Sequence, residues 1–428
     1  MPQPISRVPP VRLDLLFYLV GLTFAGASAL WSEFYGYRVW GNLATIGYLL
    51  AVAHTALLAG RGPGRLRSRW IPIGLVAIFA ILVPTAVLVI VRSPAFVWGP
   101  WPWSFPAQPE VWVVERSARL LLDDGTPYPA LGPTPHPDDY TPYGPAMTIY
   151  GLPRAILGDG PATDARLMFL AISVLCVVLT LRLLGWPRVP VLAAQLAVVN
   201  PITALTASVA GDDLPVIALI VLAAALVYRA GPVPAGMVGA LVVNTKLTAL
   251  PAMAVLTVAM FAHRGGRAGA IFLGTICAAT VIIVGPVLAA DPAMFIEHLI
   301  KFPAGLGQAR SPAASPLPGH LIAQAGPIGH AVAIGLLGVA ACAITAWLVL
   351  RPPRTPADTL TRIAVGLGAA IVLAPATRWG YLIYPLAMLG AAAGFAATTP
   401  NPGSAADTHA HGGTPVGPTE SVADPDPY

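Results

Sequence analysis

Apolar stretches of about 20 residues, the length that spans a bilayer as one helix, follow one another along almost the whole chain. Lipid offers the backbone no hydrogen-bond partners, so such a stretch crosses as a helix that satisfies its own amides. The runs fall near 13–31, 41–60, 70–91, 166–184, 189–208, 214–228, 268–290, 328–350, 363–376 and 380–397, with a helical pair inside 233–262. Only 10% of the 428 residues are charged and 56% are hydrophobic, and the mean hydropathy is +0.73. A soluble domain carries roughly a quarter charged residues, so a soluble function is excluded. The expected fold is an all-α polytopic membrane protein with about 10–12 transmembrane helices.

Charge placement gives the expected topology. The net charge of +5 is mostly arginine at the ends of runs, which reads as membrane orientation and not as nucleic-acid binding. Arg61, Arg65, Arg67 and Arg69 crowd one short loop, and the positive-inside rule places it in the cytoplasm. Arg182, Arg188, Arg229, Arg264, Arg267, Arg351, Arg354 and Arg362 then fall on the same side. The first run lacks a small-residue cleavage site and reads as a retained span. Residues 398–428 lack periodicity and read as a disordered cytoplasmic tail. The expected organisation is 1–69 as two helices plus the arginine loop, 70–397 as the membrane core, and 398–428 as the tail. Both termini are expected in the cytoplasm of a plasma-membrane protein, with large outer loops at 92–165 and 291–327. Cys176, Cys277 and Cys342 lie apart in apolar runs and fit no metal spacing.

The first outer loop is the longest polar interruption. Pro109 and Glu110 suit a helix start, where proline is tolerated and an acid meets the positive dipole end. Val111, Val114, Ala118 and Leu121 recur on one face, and Gly125 and Pro127 stop the helix. Such an amphipathic helix lies along a membrane surface. Residues 145–158 are too short and proline-broken to span, and predict a second surface or re-entrant segment.

The topology gathers Glu110, Asp123, Asp124, Asp138, Asp139, Asp212, Asp213, Lys246, Lys301, Arg310, His320 and Arg378 on the outer side. A one-sided set of acids and bases suits an enzyme. A transporter or flippase of a lipid-linked substrate would show polar groups at mid-membrane depth and internal repeats; a non-catalytic membrane subunit is a third reading. Each candidate has a plain structural alternative. Glu110 is a base or a helix-dipole partner. Asp123–Asp124 is a solvated helix end or holds the alternative base, Asp124. Asp138–Asp139 reads as turn chemistry, and Asp212 as the N-cap of a span. Lys246 sits at membrane depth, where a charge is costly and often functional. Lys301, Arg310, His320 and Arg378 are cations for a phosphate, or ordinary loop and interface charges. No tight acid cluster demands a metal, so no metal and no cofactor are expected.

Three motifs in order carry a resemblance: Glu110-Val-Trp-Val-Val, Leu121-Leu-Asp-Asp-Gly-Thr-Pro-Tyr128, and Tyr140-Thr-Pro-Tyr-Gly-Pro145. With Gly-Asp-Asp-Leu-Pro at 211–215, Asn-Thr-Lys-Leu-Thr-Ala-Leu-Pro at 244–251 and Arg-Trp-Gly-Tyr-Leu-Ile-Tyr-Pro at 378–385, the chain over roughly 70–397 resembles the polyprenol-phosphate-mannose-dependent mannosyltransferases of the GT-C class. These elongate actinobacterial phosphatidylinositol mannosides and lipomannan. The resemblance implies a GT-C-like fold with surface helices in the first loop, a polyprenyl-phosphate sugar donor, a glycolipid or polysaccharide acceptor, and inversion by a carboxylate base. The family's base is an aspartate in that loop, and the motif puts Glu110 there with a longer arm; Val114 stands where the family has tyrosine. It further implies substrate contacts from Asp123, Tyr140, Tyr143, Asp213, Lys246, Lys301, His320 and Arg378.

Overall fold

The computed structural model describes residues 10–60, 68–92, 106–309 and 312–398. Arg7, Arg61, Arg65, Arg67, Arg310 and the expected tail beyond 398 lie outside the described residues.

Every long element is a helix. In chain order they are α1 (Pro10–Trp31), α2 (Tyr35–Gly60), α3 (Trp70–Val91), α4 (Pro109–Asp124), α5 (Ala165–Leu183), α6 (Val191–Ala197), α7 (Pro201–Val209), α8 (Asp213–Arg229), α9 (Pro232–Thr245), α10 (Leu250–Ala290), α11 (Pro327–Leu350), α12 (Pro356–Leu373) and α13 (Trp379–Ala396). Among the described residues 8 helices are long and apolar enough to cross a membrane, or 9 when the bent pair α6–α7 counts as one. The rest of the expected count comes from shorter pieces. α8 has 17 residues and α9 has 14, and Gly265, at φ 83°, divides the long α10.

α8 is the centre of the bundle. Val216, Ile220, Ala223, Ala224 and Val227 are fully buried, and α5, α9, α10, α12 and α13 surround it. A helix apolar on every face belongs inside other helices, which explains why it needs less length than a lipid-facing span. Its rise of about 25 Å at 1.5 Å per residue separates Asp213 at one end from Arg229 at the other. Arg264 donates to the carbonyls of Val227 and Tyr228, and Arg362 donates to the Arg351 carbonyl, so these arginines gather at the end opposite Asp213.

Three expectations change. The second span does not begin at 41, because α2 starts at Tyr35 and buries Trp40, whose indole N–H donates to the Ala80 carbonyl at 2.8 Å. Arg362 is not a loop charge before a span at 363. α12 starts at Pro356, and Arg362 is buried in it, paired with Asp358 at 2.9 Å and stacked on Trp347 at 4.5 Å. Asp212 occupies the N-cap position of α8 but makes no capping bond; its carboxylate is engaged elsewhere. The chain bends by 47° at Asn200–Pro201, between α6 and α7. Pro201 removes the amide that would serve the Ala197 carbonyl, and Asn200 Nδ2 donates to the neighbouring Leu196 carbonyl at 2.6 Å while Oδ1 caps α7.

α1 and α2 pack closely through small residues. A Cβ on Gly41 would stand 2.4 Å from the Ala29 nitrogen, the small-residue contact that lets membrane helices touch. Asp14 fastens this pair to the core through Arg69 at 2.6 Å and Gln195 at 3.0 Å.

Candidate active site

α4 forms as its caps dictate, with Pro109 in the first turn, Glu110 beside it, and Gly125 in the left-handed region at φ 74° as terminator. Its stripe Val111, Val114 and Ala118 is fully buried. A buried ion network fixes its height. Glu115 takes Arg92 at 2.5 Å and Arg154 at 3.3 Å and accepts the Ala165 amide at 3.0 Å. Arg92 also reaches Asp164 at 2.7 Å. Asp164 pairs with Arg166, which donates to the carbonyls of Pro106, Ser208 and Leu88. Burial pushes the Asp164 carboxyl up, but Arg166 and Arg92 overcome it and hold the group below the usual carboxylate range. The network is invisible in sequence, because its members lie in four separate segments.

The second loop folds over the first. His298 is fully buried; its Nδ1 accepts the Thr141 amide at 3.0 Å and its Nε2 faces the Pro129 carbonyl at 2.8 Å. Tyr140 stacks on Phe302 with centroids 4.0 Å apart, donates to Glu297 at 3.3 Å and accepts the Gln308 and Ala309 amides. Arg116 donates to the carbonyls of Asp138, Asp139 and Tyr140. The Asp139 carboxylate takes the His136 amide at 2.7 Å, the turn chemistry expected there. Tyr140 is thus a fastener between loops, and Lys301, half exposed, pairs with Glu297 at 3.2 Å.

What remains at this end of the bundle is a compact ionic and aromatic cluster. Lys246 stands at the break between α9 and α10. Its ammonium reaches Asp212 at 2.9 Å and Asp213 at 2.5 Å, with the rings of Tyr143 and Tyr381 centred at 5.5 and 5.4 Å. Tyr384 donates to Asp213 at 2.7 Å. Gly144 brings Tyr143 down onto this break: its amide donates to the Thr245 carbonyl at 3.0 Å, and a Cβ there would lie 2.1 Å from the Asn244 carbonyl oxygen. Burial pushes the Tyr143 hydroxyl well above its ordinary range.

Beside it Glu110 pairs with Arg378 through Oε1, and Glu110 Oε2 is buried with no hydrogen-bond partner among the described residues. Tyr381 and Tyr143 lie within electrostatic reach of both Glu110 and Lys246, so the two charged pairs are neighbours in one cluster. The second loop sets the backbone around Arg378: Ser315 donates to the Thr377 carbonyl at 3.0 Å and its hydroxyl accepts the Trp379 amide at 2.9 Å. His320 faces the Pro375 carbonyl at 2.8 Å and Gln324 at 2.9 Å, so it buttresses the same segment. Burial pushes the nearby Asp138 carboxyl up, while His136, Arg378 and Arg116 pull it down.

The structure therefore brings Glu110, Tyr143, Asp213, Lys246 and Arg378 together, and adds Asp212, Tyr381 and Tyr384. Asp123 and Asp124 are exposed at the far end of α4, about 20 Å from Glu110 along a continuous helix, and do not join the cluster. Tyr381 and Tyr384 were missed because a tyrosine-rich helix start reads as an interface anchor; their i, i+3 spacing, one helical face, was the available signal. Among the described residues no three His, Cys, Asp or Glu side chains gather as a metal site, and the Asp212–Asp213 pair is bridged by an ammonium.

A helical multi-pass bundle that collects carboxylates, cations and tyrosines at one end has the layout of a membrane enzyme with a one-sided site. The sequence model of glycosyltransferase family 87 matches residues 140–376, more than half of the chain, and the chain belongs to that family. It is a membrane glycosyltransferase. The matched segment holds Tyr143, Asp212, Asp213 and Lys246, while Glu110 and Arg378 flank it. No curated protein and no solved structure matches the chain.

Proposed function

We propose that this glycosyltransferase takes its sugar from a polyprenyl-phosphate donor and passes it, with inversion, to a glycolipid or polysaccharide acceptor. The observation that carries the reading is Glu110: one oxygen on Arg378, the other buried without a hydrogen-bond partner among the described residues, with Tyr143 and Tyr381 within electrostatic reach of it and of Lys246. That second oxygen is free to accept a proton from an acceptor hydroxyl at about 2.6–3.2 Å. The hydroxyl oxygen attacks the anomeric carbon, its proton passes to Glu110, and the bond from that carbon to the phosphate oxygen breaks. Both bonding electrons leave with the polyprenyl phosphate. Asp212, Asp213 and the tyrosines offer acceptors and flat apolar faces for sugar hydroxyls and ring hydrogens. Mannose is the sugar the motif resemblance favours.

The arginines at the opposite end of the bundle, with the Arg61–Arg69 loop, support a cytoplasmic placement of that end, and hence an extracytoplasmic site in the plasma membrane. The test is transfer from labelled polyprenol-phosphate-mannose to extracted lipid acceptors, in membranes carrying wild type, Glu110→Gln or Asp124→Asn at matched protein level. Loss with Glu110→Gln alone supports the base. Loss only with Asp124→Asn moves it. No transfer by wild type from mannosyl or other glycosyl polyprenyl phosphates overturns the donor.

A further inference from the structure

The cations of the cluster are not equivalent. Lys246 already meets two carboxylates and is enclosed by rings, so it neutralises the Asp212–Asp213 pair. Arg378 is different. One guanidinium nitrogen, Nη1, holds Glu110, its side chain is 35% exposed, and no other hydrogen bond to the described residues uses its remaining N–H groups. Its backbone is clipped on both sides by Ser315.

We propose that Arg378 is shared between base and leaving group, with Glu110 Oε1 on one edge of its guanidinium and the donor phosphate on the other. This rests on the reading of Glu110 as the base. A guanidinium is planar, permanently charged and carries five donors in a fixed fork, so it can serve two anions at once; an ammonium is a point charge. The reaction itself asks for such a bridge. As the acceptor proton neutralises Glu110, the departing phosphate gains one negative charge. The charge lost on one edge of Arg378 reappears on the other, and a fixed cation between them stabilises both ends of the transfer without moving. The free carboxylate oxygen, Oε2, stays available to the acceptor hydroxyl throughout.

Two readouts separate sharing from a structural ion pair. The first is binding of citronellyl phosphate, a short prenyl phosphate without sugar, to detergent-purified full-length protein. The second is transfer kinetics with polyprenol-phosphate-mannose. Arg378→Gln should weaken citronellyl phosphate at least about tenfold, as loss of a charge-assisted pair does. Glu110→Gln should bind it as well as wild type or better, because the competing carboxylate is gone. Arg378→Lys should keep donor KM within a few-fold yet lower kcat at least about tenfold, since an interaction needed only in the transition state is lost. Undiminished citronellyl phosphate binding by Arg378→Gln overturns the proposal, as does full kcat in Arg378→Lys. If Arg378→Gln does not fold, the Lys variant and Glu110→Gln carry the test. Wild type that binds citronellyl phosphate through Arg378 but transfers no sugar from any glycosyl polyprenyl phosphate leaves the anion site standing and overturns the donor reading instead.

Discussion

Two ionic clusters in this protein use the same chemistry to different ends. The network of Arg92, Glu115, Arg154, Asp164 and Arg166 is closed: its carboxylates and guanidiniums are buried and matched by partners or carbonyls. The cluster of Glu110, Arg378, Lys246, Asp212 and Asp213 is open, with a buried carboxylate oxygen lacking a partner among the described residues and a half-used guanidinium. A satisfied buried network specifies where chain segments meet. An unsatisfied one carries a desolvation cost of about 1–3 kcal/mol per orphaned group, which a bound substrate can offset. The first cluster holds α4 at a fixed height, and the second uses the residue that height presents.

The largest expected effect falls on the closed network. Glu115→Ala leaves Arg92 with Asp164 alone and Arg154 with the more exposed Asp159 alone and should cost about 3–5 kcal/mol as a broken buried ion cluster, seen as loss of folded protein or a large drop in melting temperature in detergent. Glu110→Gln breaks the comparison from the other side. It should leave melting within a few degrees and lower kcat about 10²–10⁴-fold, the usual worth of a general base; a large stability loss would make Glu110 one more structural ion. Gly144→Ala drives a methyl group into the Asn244 carbonyl and should cost about 1–3 kcal/mol as an overpacked contact, with KM rising as Tyr143 lifts from Lys246.

The loop clasp adds a pH test. Burial holds the His298 imidazole below its ordinary value, with Arg116 pulling the same way against the Pro129 carbonyl, Glu297 and Asp291. A folded-state pKa below the unfolded one means the unfolded chain takes the proton first. The clasp is therefore at full strength above about pH 6.5 and weakens as pH falls below it. Hydrogen exchange at Thr141 and residues 297–302, corrected for intrinsic rates, should be faster at pH 5.5 than at pH 7.5; equal protection at both would refute it. The smallest effects belong to exposed charges. Asp124→Asn and Lys301→Ala should each change stability by less than about 0.5 kcal/mol and leave transfer rates near wild type in the same assay.

The sequence by itself determined the class of fold. Runs of apolar residues too long for anything but spanning helices, proline at helix starts, Gly125 after α4 and the Asn200–Pro201 break all act over a few residues, so the chain alone reveals them. It also placed Glu110, Asp213, Lys246 and Arg378 on one side, because spans alternate direction. It did not determine which charges serve structure. Glu110 and Glu115 are five residues apart on one helix; one meets Arg378, 268 positions away, and the other meets Arg92 and Arg154. Asp212 reads as a cap until Lys246 arrives from another helix to claim it, and Tyr140 reads as a substrate contact until the second loop closes on it. Ion pairing in a medium of low dielectric depends on which oppositely charged groups share a burial site, and only the tertiary structure decides that.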